Sequence, residues 1–134
     1  MSNELYKKTK QKLLSAGLNL STATIKAAIV VPAYVPNLST DEFYTTIASH
    51  VIGTPQTLAT VTVTDGVLNA DDIEFPAITA GSTASAVVLY VDTGVAGTSS
   101  LIAYLDDITG FPFVTSGVKV TVQWSNGTYK IFSI

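Results

Sequence analysis

The chain has 134 residues, a net charge of −3, and neither cysteine nor arginine. Its length favours one domain spanning residues 1–134, and the lack of cysteine excludes disulfides and thiolate metal sites. An acidic chain without arginine is a poor candidate for binding nucleic acid, and its longest apolar segments are far too short to cross a bilayer. The first twelve residues are polar and basic, so no signal peptide is expected there.

The N-terminal region carries a cluster of positive charge. Four lysines and one glutamate give the first twelve residues a charge of +3, and the other nine carboxylates and three lysines give −6. Charged residues make up only 13% of the chain, about half the usual share, which fits a protein that is packed against neighbours and equally an exported β-protein. The clustered lysines form either a solvated helix face or a docking surface for an acidic partner: Lys7, Lys8, Lys10 and Lys12.

Two helices are predicted in the first part of the chain. Residues 3–16 have a partial apolar stripe and end at Gly17, so residues 1–17 could form a helical docking arm. Residues 24–31 predict a strand that ends at Pro32. A second helix is predicted to begin at Ser39, because Ser39 and Glu42 have capping-box spacing. Its apolar face follows at helical intervals, with Phe43, Ile47 and Val51, and Gly53 ends it.

The rest of the chain reads as strands and turns. Strands are predicted at residues 60–64, 67–69, 73–76, 85–92, 100–105, 118–124 and 128–134. Asp65-Gly66 and Asn126-Gly127 are hairpin turn signals. The fold class expected is α+β, mainly antiparallel β of sandwich- or barrel-like form, with an N-terminal helix and a second short helix.

Few residues offer catalytic chemistry. Asp92-Thr93-Gly94 follows an apolar strand, as the catalytic turn of aspartic proteases does, but a turn that ends a strand favours the same residues for backbone reasons. His50 is the only histidine, and its place near the end of the second predicted helix favours a role at the helix terminus. No catalytic residue or cofactor is therefore predicted.

Two further constellations leave alternatives open. Asp71, Asp72 and Glu74 could supply oxygen ligands to calcium, although their spacing is not that of an EF-hand, or they could form a solvated turn. The pair Asp106-Asp107 allows the same two interpretations. Six aromatic residues could form a sugar-binding platform or belong to the core: Tyr104, Phe111, Phe113, Trp124, Tyr129 and Phe132. Trp124 falls on an apolar strand face, which favours the core for this residue.

An ordered series of segments resembles a family of small proteins from the structural gene modules of tailed bacteriophages and prophages. The series is Glu4-Leu5-Tyr6 before a lysine-rich helix, Tyr34-x-Pro36 before Asp41-x-Phe43, Val63-Thr-Asp-Gly-Val67 before Ala70-Asp-Asp-Ile73, Val88-x-Tyr90-x-Asp-Thr-Gly94 before Leu101-Ile-Ala-Tyr104, and Trp124-x-Asn126-Gly127 before Lys130-Ile-Phe132. The resemblance covers most of the chain. Where the family often has an acidic-aromatic stretch near residue 18, this chain has Leu18-Asn19-Leu20.

The resemblance implies a capsid decoration or cement protein without catalytic residues. Such a protein would be made in the host cytoplasm and bind the major capsid protein on the virion surface, as a trimer or dimer. The partner-binding residues predicted for it are Lys7, Lys8, Lys10 and Lys12. The alternatives are a head–tail connector or tail component, a carbohydrate-binding module, and the aspartic protease considered above.

Overall fold

The computed structural model describes residues 4–106, 108, 110–124 and 131–133. It contains one α-helix within these ranges, α1 (Lys7–Leu14), and 3₁₀ turns at Tyr44–Thr46, Ala48–His50 and Ala96–Thr98. The strands are β1 (Glu4–Leu5), β2 (Ile25–Val30), β3 (Val51–Thr57), β4 (Thr62–Thr64), β5 (Val67–Asn69), β6 (Ile73–Phe75), β7 (Thr83–Ala84), β8 (Ala86–Val91), β9 (Leu101–Leu105), β10 (Phe113–Val114), β11 (Val120–Val122) and β12 (Phe132–Ser133).

A five-stranded antiparallel sheet organises the molecule. Its strand order is β1-β9-β8-β2-β3, and three smaller antiparallel sheets accompany it: β12-β5-β4, β11-β6 and β10-β7. The described strands close no barrel. The structure is therefore β-rich and antiparallel, as the sequence predicts.

The central sheet is buried on both faces. Every residue of β8 and β9 is buried, and side chains of β8 alternate between two apolar clusters. The first cluster, which we call the main core, includes Val87 and Leu89 and is completed by residues of the smaller sheets, among them Phe75. The second cluster, the helix-side core, includes Val88 and is completed by Tyr6, Tyr34 and Ile47. Burial on both faces explains why these strands read as continuous apolar runs.

The first helix begins later than predicted. Glu4 and Leu5 form β1 and pair with Tyr104 and Ala103 of β9, and the Tyr6 N–H continues the pairing by donating to the Ile102 carbonyl at 3.0 Å. Helical geometry starts only at Lys7. Residues 4–6 are extended rather than helical because their backbone hydrogen-bonds with part of the outer edge of β9. The N–H and C=O groups of that edge would otherwise lack partners.

The second predicted helix does not form. The N–H groups of Thr40 and Asp41 donate to the Asn37 carbonyl, and the Ser39 N–H donates to Asn37 Oδ1 at 3.2 Å. The Leu101 N–H donates to the Glu42 carbonyl at 2.8 Å, so this segment also pairs along the end of β9. Tertiary pairing overrides the local capping signal, and two 3₁₀ turns replace the helix.

The end of that predicted helix is instead the edge strand β3. It pairs with β2, and its register shifts opposite Ala28. Gly53 has a φ of +70°, and a Cβ at that position would lie 3.0 Å from Ile78 Cγ1. The bulged register and Pro55 make this edge a poor template for adding another strand.

The hairpin turn predicted at Asp65-Gly66 is confirmed, since β4 and β5 pair across it and both residues have positive φ. The turn predicted at Asn126-Gly127 lies outside the described residues. β7 and β10 are short strands that the sequence pattern did not indicate.

Candidate interaction surfaces

Helix α1 is fastened along the edge of the central sheet. Thr9 is buried and its hydroxyl donates to the Leu101 carbonyl, while the Lys7 N–H donates to the Leu38 carbonyl at 2.8 Å. Tyr6, just before the helix, is fully buried in the helix-side core. The helix is thus held against the body of the protein along its length.

Lys12, one of the four predicted docking lysines, is engaged inside the fold. Its ammonium lies 2.9 Å from Glu42 Oε2 and 2.8 Å from Ser100 Oγ, and 4.5 Å from the centre of the Phe43 ring. These contacts join α1 to the segment that replaces the second helix. Local sequence patterns do not indicate this pairing, because Lys12 and Glu42 are thirty residues apart.

The other three lysines face solvent. Lys7 and Lys10 are exposed and Lys8 is partly exposed, and none of them forms an ion pair with a described residue. Because the helix is fixed to the sheet, these three side chains form a basic surface of defined position. We call Lys7, Lys8 and Lys10 the basic face.

A buried chain of hydroxyl groups connects α1 to the segment after β2. The Tyr6 and Tyr34 hydroxyl oxygens are 2.6 Å apart, and the Tyr34 hydroxyl donates to Asp41 Oδ2 at 2.8 Å. Burial raises the pKa of both tyrosines well above its usual value, so both hydroxyls keep their protons and act as donors. The His50 ring stacks on Tyr34 with centroids 6.0 Å apart, so the only histidine lies beside this network at the end of a 3₁₀ turn.

Asp92 of the Asp-Thr-Gly segment ends β8 in a surface turn. Its carboxylate accepts the Gly94 N–H at 3.0 Å and lies 3.1 Å from the Lys26 ammonium. The Gly94 N–H, and then Lys26, lower the pKa of this carboxyl. A paired, ionised carboxylate differs from the proton-sharing pair of an aspartic protease, and the local hydrogen bond is that of a strand-ending turn.

The acidic residues at 71, 72 and 74 turn to separate partners. The Asp71 carboxylate accepts the Thr60 hydroxyl at 2.8 Å, and the Asp72 carboxylate accepts the backbone N–H of Trp124 at 2.9 Å. The Glu74 carboxylate lies 3.4 Å from the Lys119 ammonium. Across the described ranges, no group of three or more histidine, cysteine or acidic residues could hold a metal ion. Asp107, of the second acidic pair, lies outside the described residues.

Trp124 belongs to the main core, as its strand face predicted. It is 8% exposed, and its indole N–H donates to the Asp71 carbonyl at 3.0 Å. Tyr104 is also buried. Phe111 and Phe113 pack edge to face 5.1 Å apart and are partly buried beside a surface cavity of about 260 Å³. Tyr129 and the Phe132 side chain lie outside the described part of the chain.

The structure adds an apolar surface that the sequence did not single out. A groove of about 390 Å³ lies between the residues after α1 and the β4-β5 hairpin. Its apolar lining residues are Leu13, Ala16, Leu18, Leu20, Val63 and Leu68. Leu14, which is 90% exposed, follows Leu13 at the end of α1, and Val63 is 49% exposed.

Comparisons of the chain with protein-family models, with curated proteins and with solved structures found no match. Among the described residues, no helix has the length and apolar character needed to cross a membrane.

Proposed function

We propose that this chain is a structural protein of a tailed-bacteriophage virion, of the capsid decoration or cement type. It binds the shell of the major capsid protein and stabilises it, and it works by binding without catalysis or a cofactor. The observation that carries the proposal is the ordered series of segments that resembles this family, together with the low charge of the chain. In the fold, we propose a sandwich-like arrangement of the smaller sheets against the central one.

The basic face supplies the contact with the shell. Lys7, Lys8 and Lys10 are free of internal ion pairs with the described residues and stand on a helix that is fixed to the central sheet. A fixed helix loses little freedom on binding, so more of the contact energy remains as affinity. Exposed charges mainly steer association and make it sensitive to salt.

Many weak contacts suffice for such a protein. A copy that bridges neighbouring capsid subunits makes its later contacts at high effective concentration. A lattice with two-fold or three-fold axes favours binding as a dimer or trimer. Modest affinity at each lysine is therefore compatible with stable coverage of the shell.

The copy number of the protein in purified virions tests the proposal. Quantitative mass spectrometry against the major capsid protein should find on the order of hundreds of copies per particle, as coverage of a symmetric shell requires. About six to twelve copies would indicate a ring in the connector or tail. Absence from the particle would refute the structural role and would reopen carbohydrate binding, which the burial of Trp124 disfavours.

The basic face has its own test. Changing Lys7, Lys8 and Lys10 together to serine should lower the occupancy of the protein on particles, and should also reduce the loss of binding caused by added salt. Lys119→Ser is the matched control, because Lys119 is an exposed lysine paired with Glu74 away from α1. Lys12 is left unchanged since it stabilises the fold. Unchanged occupancy of the triple variant would remove the basic face from the contact.

A further inference from the structure

The β4-β5 hairpin leaves a free strand edge on the sheet β12-β5-β4. β5 lies between β4 and β12, and the Ile131 N–H donates to the Leu68 carbonyl at 3.2 Å, so the backbone of Leu68 turns toward β12. Val63 is the residue opposite Leu68 in the hairpin. Opposite residues of an antiparallel pair either bond to each other or both turn their backbone groups outward. The Val63 N–H and carbonyl therefore point away from β5, and no described strand lies on that side.

This edge lacks the features that protect the edges of the central sheet. β3 has a shifted register and contains Pro55, and β1 is only two residues long and begins with Glu4. β4, by contrast, pairs with β5 in an unbroken register, and its three residues are exposed and include neither a proline nor a charge. An exposed strand edge without such features is a template for a further strand.

The apolar groove lies against the side chains of the same edge strand. Val63 is 49% exposed and lines the groove of about 390 Å³ together with Leu68. Leu13, Leu18 and Leu20 also line it, and its lining residues are uncharged. Opposite residues in a sheet place their side chains on one face, so a residue paired with Val63 would place its side chain at this groove. The groove therefore favours an apolar side chain there and at alternate positions of an added strand.

Each end of β4 carries an exposed carboxylate. Asp65 follows the strand and forms no ion pair with a described residue, and Asp71 lies near its start, where it accepts the Thr60 hydroxyl at 2.8 Å. Residues 27–118 contain no lysine or arginine. Two copies of the chain joined along β4 would bring these carboxylates together, and like charges on neighbouring strands are destabilising. A strand with positive charge at its ends is favoured instead.

We propose that β4 binds an extended segment of another protein, which adds an antiparallel strand to this edge. Main-chain hydrogen bonds to Val63 set the register, and alternate apolar side chains of the segment enter the groove. Lysine or arginine residues near the ends of the segment meet Asp65 and Asp71. This surface selects a basic strand, whereas the basic face of α1 selects an acidic partner. The inference goes beyond the proposed function and does not depend on it.

A synthetic peptide tests the proposal on the full chain. The probe is the heptapeptide Lys-Thr-Val-Thr-Val-Thr-Lys with blocked ends, titrated into the isotope-labelled protein and followed by NMR. Binding should be saturable, with a dissociation constant of about 1 mM. It should shift the amide resonances of residues 61–64 and slow the hydrogen exchange of the Val63 N–H, because that group gains an acceptor. A peptide with glutamate in place of both lysines should bind at least about tenfold more weakly.

Two methylated peptides distinguish strand addition from simple adhesion to the groove. In antiparallel pairing the residue opposite Val63 is a valine whose N–H points toward β4, while the threonine N–H groups point to the other side. Methylation of the valine backbone nitrogens should abolish binding. Methylation of the threonine backbone nitrogens should change the dissociation constant by less than about twofold, because no hydrogen bond to β4 is lost. Equal effects of the two methylations would overturn strand addition.

A variant of the edge gives an independent measurement. Val63→Lys should raise the dissociation constant of the peptide at least about tenfold, since it adds a positive charge at the edge and removes an apolar wall of the groove. Val35→Lys is the control, because Val35 is 78% exposed and lies outside the hairpin and the groove. It should bind the peptide as the unchanged chain does. Far-UV circular dichroism checks that both variants fold, and if Val63→Lys does not, the methylated peptides decide.

Three outcomes would contradict the proposal. The first is the absence of peptide binding in the millimolar range, and the second is an equal loss of binding in Val63→Lys and Val35→Lys. The third is a shift of the resonances of residues 61–64 with the concentration of the chain alone, which would assign the edge to a second copy. The copy number in virions tests the decoration role separately, so either proposal can fail alone.

Discussion

At the scale of single residues, the hydroxyl chain from Tyr6 to Asp41 joins three parts of the molecule. Tyr6 precedes α1, Tyr34 follows β2, and Asp41 also accepts the Asn37 N–H at 2.9 Å. The hydroxyls of Tyr6 and Tyr34 therefore both have partners, which meets the requirement that buried polar groups be hydrogen-bonded. Tyr34 is the central member, because it both accepts and donates.

Tyr34→Phe should destabilise the protein by about 1–3 kcal/mol, since it leaves the buried Tyr6 hydroxyl without its acceptor and removes one of the two donors to Asp41 Oδ2. Denaturant unfolding followed by circular dichroism measures the change. Tyr44→Phe is the control, because the Tyr44 hydroxyl makes no hydrogen bond to a described residue while its ring packs 4.6 Å from Tyr90. Equal effects of the two variants would show that the hydroxyl chain contributes nothing specific.

At the scale of elements, α1 and the segment that replaced the second predicted helix stabilise each other. The Lys12 ammonium contacts Glu42 and Ser100 and lies 4.5 Å from the centre of the Phe43 ring. Glu42 and Phe43 meanwhile pair through their backbones with the end of β9. The capping-box glutamate is thus used for a contact across the fold rather than for starting a helix.

A double-mutant cycle of Lys12→Met and Glu42→Gln should give a coupling energy of about 0.5–1 kcal/mol. The side chains of this pair are only 25% and 31% exposed. The control cycle, Lys119→Met with Glu74→Gln, involves side chains that are 67% and 62% exposed and 3.4 Å apart, so its coupling should be about 0–0.5 kcal/mol. A coupling at Lys12 no larger than at Lys119 would contradict the anchoring role.

At the scale of the whole molecule, the central sheet belongs to two cores at once. Its inner strands send alternate side chains into the main core and the helix-side core. Loss of either core exposes one face of the same strands, so the two cores should unfold together. Trp124, buried in the main core, reports on that side of the sheet.

Unfolding should therefore be one cooperative transition. The denaturant midpoint from Trp124 fluorescence should coincide with that from far-UV circular dichroism, which follows the strands of the central sheet. Acrylamide should quench Trp124 weakly until that midpoint, because the indole is buried. A fluorescence transition well before the loss of circular dichroism would show that the smaller sheets unfold independently.

The sequence supports different features of this fold to different degrees. The strand at 24–31, the long strands at 85–92 and 100–105 and the Asp65-Gly66 turn follow from local patterns, and the structure has strands and a turn there. The prediction of a second helix was wrong because it depended on a local capping signal. In the structure the backbone hydrogen bonds of Glu42 and Tyr44 join them to residues at and before the start of β9. The sequence predicts the cluster of four lysines, but it does not indicate that Lys12 pairs with Glu42 within the fold.

The amino-acid sequence by itself determined the β-rich class, the burial of Trp124 and the basic N-terminal region, because these depend on short-range periodicity, turn chemistry and charge count. Only the tertiary structure decided which backbone completes the edge of β9 and which lysines form ion pairs with other described residues. Those features depend on contacts between residues that are thirty to one hundred positions apart, and local propensity carries no information about such contacts.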